Sequence, residues 1–143
     1  MSMTIYLAAD HAGFALKDRL KAQLTRLENK VVDLTPIFKN GDDYPGVAKK
    51  LIDKISKSGR GILFCGSGVG VCIAANRVKG IRAAVGHSTE EVKLARQHDD
   101  INVLCLSGWN HADETKAMKM IAAFLKTRSS TAARHIRRVK QLG

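Results

Sequence analysis

This sequence has little of what marks membrane, secreted or disordered chains. It contains two prolines and three cysteines in 143 residues, and aromatic side chains make up only 5% of it. No apolar run reaches the roughly 20 residues that a membrane-spanning helix requires. The first residues also lack the basic and then apolar pattern of a secretory signal. These absences argue against a membrane protein and favour one folded domain in the cytoplasm.

The cysteines and histidines form no pattern that is typical of a disulfide framework or a metal site. Cys65, Cys72 and Cys105 are odd in number and include no CxxC pair. None of the five histidines lies four residues from another, so no helix face carries two imidazole ligands. We therefore expect free thiols, with no metal and no other cofactor.

Charge is strongly unbalanced along the chain. The net charge is +11, and no acidic residue follows Glu114, so the C-terminal segment is basic. A basic surface attracts either nucleic acid or a small phosphorylated ligand. The few aromatic residues are not interleaved with the basic ones, as a base-stacking surface requires. Nucleic acid is therefore the less favoured partner.

Short aliphatic runs alternate with amphipathic stretches. The aliphatic runs predict strands at residues 4–9, 31–34, 61–65, 82–85 and 102–106. The amphipathic stretches predict helices at residues 14–27, 47–57, 69–76, 89–97 and 112–126, with a further basic helix within about 129–143. Ser88 and Glu91 form a capping box, and Asn110 is placed to cap the helix near Ala112. This alternation predicts an α/β fold with a parallel sheet.

A glycine-rich turn follows the third predicted strand, in the segment Cys65-Gly66-Ser67-Gly68-Val69-Gly70. Its glycines allow several backbone N–H groups to point at one anion. Val71 stands where a dinucleotide fingerprint needs a glycine and where a phosphatase loop beginning at Cys65 needs an arginine. Cys65 is either a thiolate base beside these N–H groups or a buried packing residue. We assign Cys72 and Cys105 to packing.

Two further polar segments lie next to predicted strands. Asp10 and His11 follow the first strand, where they either bind a ligand or cap the next helix. His98 precedes the fifth strand and is either an acid-base group, since imidazole titrates near neutral pH, or part of a solvated helix end.

Several motifs recur in a fixed order along nearly the whole chain: Asp10-His11-Ala12-Gly13, Asp43-Tyr44-Pro45, Cys65-Gly66-Ser67-Gly68-Val69-Gly70, Ala74-Ala75-Asn76-Arg77, Gly80-Ile81-Arg82-Ala83-Ala84, Arg96-Gln97-His98 and Asn102-Val103-Leu104. In this order and spacing they resemble the type B ribose-5-phosphate isomerases and related isomerases of galactose 6-phosphate or allose 6-phosphate. The resemblance implies a single three-layer α/β/α domain with a Rossmann-like, five-stranded parallel sheet.

The resemblance also implies a reaction, the metal-independent interconversion of ribose 5-phosphate and ribulose 5-phosphate through an enediolate. In such enzymes a cysteine matching Cys65 removes the proton, and a histidine matching His98 assists opening of the sugar ring. We expect Ser67 and Asp10 to take part in catalysis as well. The residues implied to contact the substrate are Asp10, His11, Tyr44, Gly66, Ser67, Gly68, Val69, Gly70, Asp99, Arg134 and Arg138.

An assembly is implied too. The resembling enzymes are dimers or tetramers whose pockets combine residues from two subunits. We therefore expect the basic segment 129–143 to pack on a second copy of the chain.

Three positions depart from the family's usual pattern. Ser67 replaces a threonine, Asp99 replaces an asparagine, and Trp109 stands where an arginine commonly follows the fifth strand. An added negative charge and an indole would alter the pocket. A six-carbon sugar phosphate is thus an alternative substrate, and sugar-phosphate binding without turnover is an alternative function.

Overall fold

The computed structural model describes residues 3–27, 29–55, 59–110 and 113–143. Within them, five aliphatic segments form one sheet in the order β2-β1-β3-β5-β4, and all paired strands are parallel. The strands are β1 (Thr4–Ala9), β2 (Lys30–Asp33), β3 (Arg60–Cys65), β4 (Ala83–Val85) and β5 (Val103–Ser107). The predicted five-stranded parallel sheet is confirmed.

Six helices connect and flank these strands in the described residues. They are α1 (Phe14–Arg26), α2 (Tyr44–Ile52), α3 (Val69–Asn76), α4 (Thr89–Asp99), α5 (Glu114–Lys126) and α6 (Ala133–Gln141). None of them is long and apolar enough to cross a membrane. The helix predicted at residues 47–57 ends at Lys57, and the helix predicted at residues 112–126 begins at Ala112. Both of these residues lie outside the described residues.

The sheet is covered on both faces, which confirms the three-layer architecture. Ile62 and Phe64 of β3 pack on the face that α1, α4 and α5 cover. Leu63 and Cys65 point to the opposite face, beneath α2 and α3. Both sets of side chains are buried because strands of a parallel sheet are covered by helices on each side.

Helix capping was predicted correctly at one helix and wrongly at another. The hydroxyl of Ser88 accepts a hydrogen bond from the N–H of Glu91 at 3.2 Å, as predicted for α4. Asn110 does not cap α5, because that helix begins later, after Asp113, whose carboxylate accepts from the N–H of Thr115 at 2.9 Å. A carboxylate at this position also interacts favourably with the helix dipole.

One lysine is fully buried between α1 and β2. The ammonium of Lys17 donates to the carboxylate of Asp33 and to the carbonyl of Thr35, each at 2.7 Å. Burial raises the pKa of Asp33, but hydrogen bonds from Lys17, Thr35 and Lys21 outweigh it and leave that pKa below its usual value. The pair fixes the start of the loop that leads to α2.

Helices α1 to α5 run antiparallel to the strands, so each of these five begins at the carboxyl edge of the sheet and ends at the amino edge. Cys65 ends β3 and therefore lies at the carboxyl edge. His98 lies in the last turn of α4 and therefore at the amino edge. There α6 packs beside α4, and the N–H of Ser130 donates to the carbonyl of Gln97 at 2.9 Å.

Candidate active site

Cys65 lies at the end of β3, with its sulfur beneath the turn that follows. The side chain is 4% exposed. The backbone N–H of Gly68 donates to Sγ across 3.2 Å. Gly68 has φ of +82°, which L side chains rarely adopt, so glycine permits the turn that directs this N–H at the sulfur. The sulfur thus lies at the start of α3 with a backbone donor pointed at it.

The turn offers further donors beside the sulfur. The exposed hydroxyl of Ser67 accepts from the N–H of Val69 at 3.1 Å, which leaves its own proton free to donate elsewhere. α3 begins at Val69, and the first N–H groups of a helix have no partner within that helix. Gly70 and Val71 therefore carry N–H groups that can serve an anion at this edge.

Asp10 lies next to this turn, at the end of β1. Its backbone N–H donates to the carbonyl of Phe64 at 3.1 Å, directly before Cys65. Its carboxylate accepts from the N–H groups of Ala12 at 3.0 Å and Gly13 at 3.1 Å. Burial raises the pKa of Asp10, and the two N–H donors oppose that rise without cancelling it. The carboxylate of Asp10 thus holds the backbone of the loop that follows β1, and the residue is nearly buried.

His11 is held by a residue that the sequence analysis did not identify. One carboxylate oxygen of Asp42 accepts from the backbone N–H of His11 at 2.7 Å and lies 3.2 Å from its Nδ1. The imidazole is 42% exposed, so it is oriented but accessible. Asp42 directly precedes the motif Asp43-Tyr44-Pro45, and this position was the signal in the sequence that could have identified it.

Tyr44 reaches the glycine turn from the start of α2. A Cβ added to Gly70 would lie 3.0 Å from Cε2 and Cζ of the Tyr44 ring. The ring therefore packs directly on the first turn of α3. Asp10, His11, Tyr44 and the segment from Cys65 to Gly70 all belong to this one edge of the sheet.

Trp109, whose indole was expected to alter the pocket, is a second neighbour of the glycine turn. Its backbone N–H donates to the carbonyl of Gly66 at 3.1 Å. A Cβ added to Gly66 would lie 2.4 Å from Cζ2 of the indole, so the ring lies against that glycine. The side chain is nevertheless 74% exposed.

The remaining predicted residues form a separate basic cluster at the amino edge. It comprises His98 and Asp99 at the end of α4 with Arg134, His135 and Arg138 on α6. The rings of His98 and His135 stack with their centroids 4.4 Å apart. His135 and His98 line a groove of about 220 Å³ with Ser130 and Lys140. His135 was not predicted as a site residue.

His135 differs from its neighbours in its burial. It is 8% exposed, and its Nδ1 has no hydrogen-bond partner among the described residues. Burial lowers the pKa of His135, and the nearby His98, Arg134 and Arg138 lower it further. The cluster thus combines a neutral imidazole with exposed cationic side chains, a combination suited to an anionic group.

One chain does not bring the two groups of predicted residues together. α4 has 11 residues and therefore spans about 16 Å between the two edges. His98, Asp99, Arg134 and Arg138 lie at the amino edge, away from Cys65. The two clusters therefore do not form one pocket within this chain.

Metal ligands are not grouped in the described parts of the chain. No cluster of three or more His, Cys, Asp or Glu side chains there could hold an ion. All three cysteines are free thiols, and Cys105 is fully buried.

The sequence profile of the family described as Ribose/Galactose Isomerase matches residues 5–142. The probable ribose-5-phosphate isomerase B of Mycoplasma genitalium is 43% identical, over 99% of this chain and 95% of that protein. Ribose-5-phosphate isomerase B of Mycobacterium tuberculosis is 35% identical, over 96% of this chain and 86% of that protein.

Two solved structures share the fold. The ribose 5-phosphate isomerase of Thermotoga maritima superposes with a TM-score of 0.93 at 36% identity, covering 99% of this chain and 98% of that one. The Mycoplasma genitalium enzyme, solved with bound ribulose-5-phosphate, superposes with a TM-score of 0.90 at 43% identity, covering 99% of this chain and 95% of that one.

Proposed function

Because this chain belongs to the ribose/galactose isomerase family, we propose that it interconverts ribose 5-phosphate and ribulose 5-phosphate, with Cys65 as the base. The observation that carries the proposal is the 3.2 Å hydrogen bond from the N–H of Gly68 to the sulfur of Cys65. A carbon-bound proton is removable only where a base meets it and the resulting oxyanion meets fixed donors. The turn from Cys65 to Gly70 supplies both.

The proposed reaction is a proton transfer between C1 and C2 of the open-chain sugar. The thiolate of Cys65 takes the proton from C2, the electrons of that bond form a C1–C2 double bond, and negative charge collects on the C1 oxygen. The Cys65 thiol, whose proton exchanges with solvent, then protonates C1, while the C2 hydroxyl proton moves to the C1 oxygen. The products are a ketose and a regenerated thiolate.

In this scheme the charged oxygen is stabilised by those backbone N–H groups from Gly66 to Gly70 that are not already bonded within the turn, among them the N–H of Gly70. One such donor contributes about 3 kcal/mol to the transition state. Ser67 assists because its hydroxyl accepts from Val69 and so directs its own proton outward, toward a substrate oxygen. Asp10, nearly buried beside the turn, holds a sugar hydroxyl. Since these fixed donors stabilise the charge, we expect turnover to persist in a chelator.

A second copy of the chain completes the site in this proposal. His98, which would open the furanose ring, and Asp99 come from that copy, and so do Arg134 and Arg138, which bind the phosphate together with His11 of the first copy. A two-fold axis would place each copy's amino edge at the other's carboxyl edge and form two equal sites.

Exposed apolar side chains support this contact between copies. Val69 and Ile73 on α3 are 48% and 53% exposed, next to the turn that holds Cys65. Ile136 on α6 is 42% exposed, within the basic segment that was predicted to pack on a second copy. A dimer would cover these side chains.

The test is a panel of aldose phosphates incubated with the purified protein and a chelator in D₂O. Ketose formation and deuterium incorporation at the reacting carbons are measured by NMR. We expect ribose 5-phosphate to give ribulose 5-phosphate. Faster turnover of allose 6-phosphate or galactose 6-phosphate would indicate the six-carbon alternative. Saturable binding with neither ketose nor deuterium would indicate a binding protein and contradict the proposal.

A further inference from the structure

Trp109 carries a large aromatic side chain that lies against the turn after Cys65 although most of it faces solvent. The N–H of Gly108 donates to the carbonyl of Cys65 at 2.8 Å, and the N–H of Trp109 donates to that of Gly66 at 3.1 Å. These two bonds join the segment after β5 to the turn after β3. These bonds hold the backbone of Trp109 beside the Cys65 turn, and the indole lies against Gly66.

The side chain of Ser107 adds two further hydrogen bonds at this junction. The hydroxyl of Ser107 donates to the carbonyl of Gly66 at 2.6 Å and accepts from the N–H of Asn110 at 3.1 Å. The carbonyl of Gly66 thus accepts hydrogen bonds from both the Ser107 hydroxyl and the Trp109 N–H. The absence of a side chain at Gly66 leaves the space that the indole occupies.

The indole contributes little to the core from this position. It is 74% exposed, whereas Phe64 and Phe124 are fully buried. One face lies on Gly66, and the exposed remainder extends the apolar surface beside the base. An exposed tryptophan is suited to ligand contact, because it offers a large rigid ring and only two side-chain torsions are ordered when a ligand covers it.

We infer that Trp109 is a specificity-determining residue that forms an apolar wall of the sugar-phosphate pocket beside Cys65. This inference rests on the proposed function and adds a contact to the same site. The indole contacts the uncharged carbon chain of the substrate, while the cationic residues bind the phosphate.

The chemistry of a sugar phosphate fits this division. Its carbon chain carries C–H bonds on one side that pack against a flat aromatic face, and the indole N–H can donate to a hydroxyl. A neutral ring selects by the shape and length of the chain, whereas an arginine would attract the phosphate of any substrate. The contribution of Trp109 should therefore be nearly independent of salt concentration.

Intrinsic fluorescence tests this contact directly, because Trp109 is the single tryptophan of the chain. Ribose 5-phosphate is titrated into the Cys65→Ala variant, in which turnover does not disturb equilibrium. We expect a saturable change in emission that inorganic phosphate does not reproduce. Unchanged emission, while calorimetry of the same sample detects binding of ribose 5-phosphate, would overturn the inference.

Kinetics of three variants test the selective role. We expect Trp109→Ala to lower kcat/KM for ribose 5-phosphate about tenfold, mainly by raising KM, at both low and high salt. Trp109→Phe should restore most of the loss. The control is Leu27→Ala, which removes another largely exposed apolar side chain, at the far end of α1, and should change neither parameter.

Substrate preference gives the second readout. The ratio of kcat/KM for ribose 5-phosphate to that for allose 6-phosphate should shift in Trp109→Ala. Unchanged KM and an unchanged ratio would refute the role of Trp109 and leave the isomerase function intact. A wild-type protein that forms no ketose would refute the isomerase function, and the fluorescence titration would still test the contact.

Discussion

The sulfur of Cys65 accepts a hydrogen bond from the N–H of Gly68, three residues later and 3.2 Å away. The bond closes the turn between β3 and α3, and it also places a donor where negative charge would form on the sulfur. In the proposed reaction, loop conformation and acid-base chemistry therefore depend on the same contact. Gly68 must keep a positive φ for both.

Replacing Cys65 by alanine should lower turnover at least 100-fold, because a general base contributes about that factor or more. The fold should persist, since alanine fits the space of the small thiol. Ketose formation measures the first effect and circular dichroism the second. Cys72→Ala is the matched control, because Cys72 is a half-buried cysteine on α3 that forms no part of the turn. Equal activity of the two variants would contradict the role of Cys65.

Mixed dimers should regain activity that their parent variants lack. Cys65→Ala and His98→Ala are each purified, then unfolded and refolded together. Half of the dimers should contain both chains, and each of these should hold one intact site. We expect about a quarter of wild-type activity.

As the control, each variant is unfolded and refolded alone, and its activity should not increase. Failure of the mixture to exceed its parents would indicate that Cys65 and His98 act within one chain.

The charged carboxylate of Asp10 should lower the free energy of unfolding at neutral pH. Burial raises its pKa above 3.8, so the folded protein binds this proton more tightly than the unfolded chain. The resulting stabilisation is present below pH 3.8 and is lost as the pH rises through the folded-state pKa. Asp10→Asn keeps an oxygen acceptor without the charge, and it should raise the free energy of unfolding by about 0.5 kcal/mol at pH 7.

Urea unfolding at pH 7 and at pH 3.5 measures this effect, and the gain should vanish at the lower pH. Turnover of Asp10→Asn should fall, because the carboxylate no longer binds the sugar. An equal gain at both pH values would show that the charge of Asp10 is not its cause.

Lys17→Met should lower the free energy of unfolding by about 3 kcal/mol, because it leaves the carboxylate of Asp33 buried without its closest partner. Lys21→Met is the matched control. Lys21 bonds the same oxygen at 3.1 Å but is 39% exposed, so its loss should cost less than about 1 kcal/mol. Urea unfolding of both variants gives the comparison, and similar losses would contradict the importance of burial.

Most of the fold was predictable because its strands and helices carry clear apolar periodicity. The helix α3 was predicted at its observed bounds. The predicted bounds were wrong where a side-chain hydrogen bond or a proline sets the start of a strand or helix. Arg82 was predicted in β4, but its N–H donates to the side chain of Asn102 at 2.8 Å, and the strand begins at Ala83. α2 begins at Tyr44, earlier than predicted, because Pro45 fits the first turn of a helix.

The site was predictable where one motif carried it and unpredictable where distant segments met. Cys65 and its turn are contiguous in sequence, so their juxtaposition follows from local geometry. Asp42 bonds His11 across 31 positions, and Trp109 meets Gly66 through the pairing of β3 with β5. Such contacts depend on tertiary structure. The roles of the site residues, the dimer and the cytoplasmic location stay predictions.

The opposite placement of Cys65 and His98 has a consequence for how the protein must be handled. A lone copy would carry two incomplete sites, however well it folded. Turnover per chain should therefore fall when the protein is diluted below the dissociation constant of the pair, and it should recover on concentration. The amount of protein in a cell would then set not only how many active sites exist but also what fraction of them function.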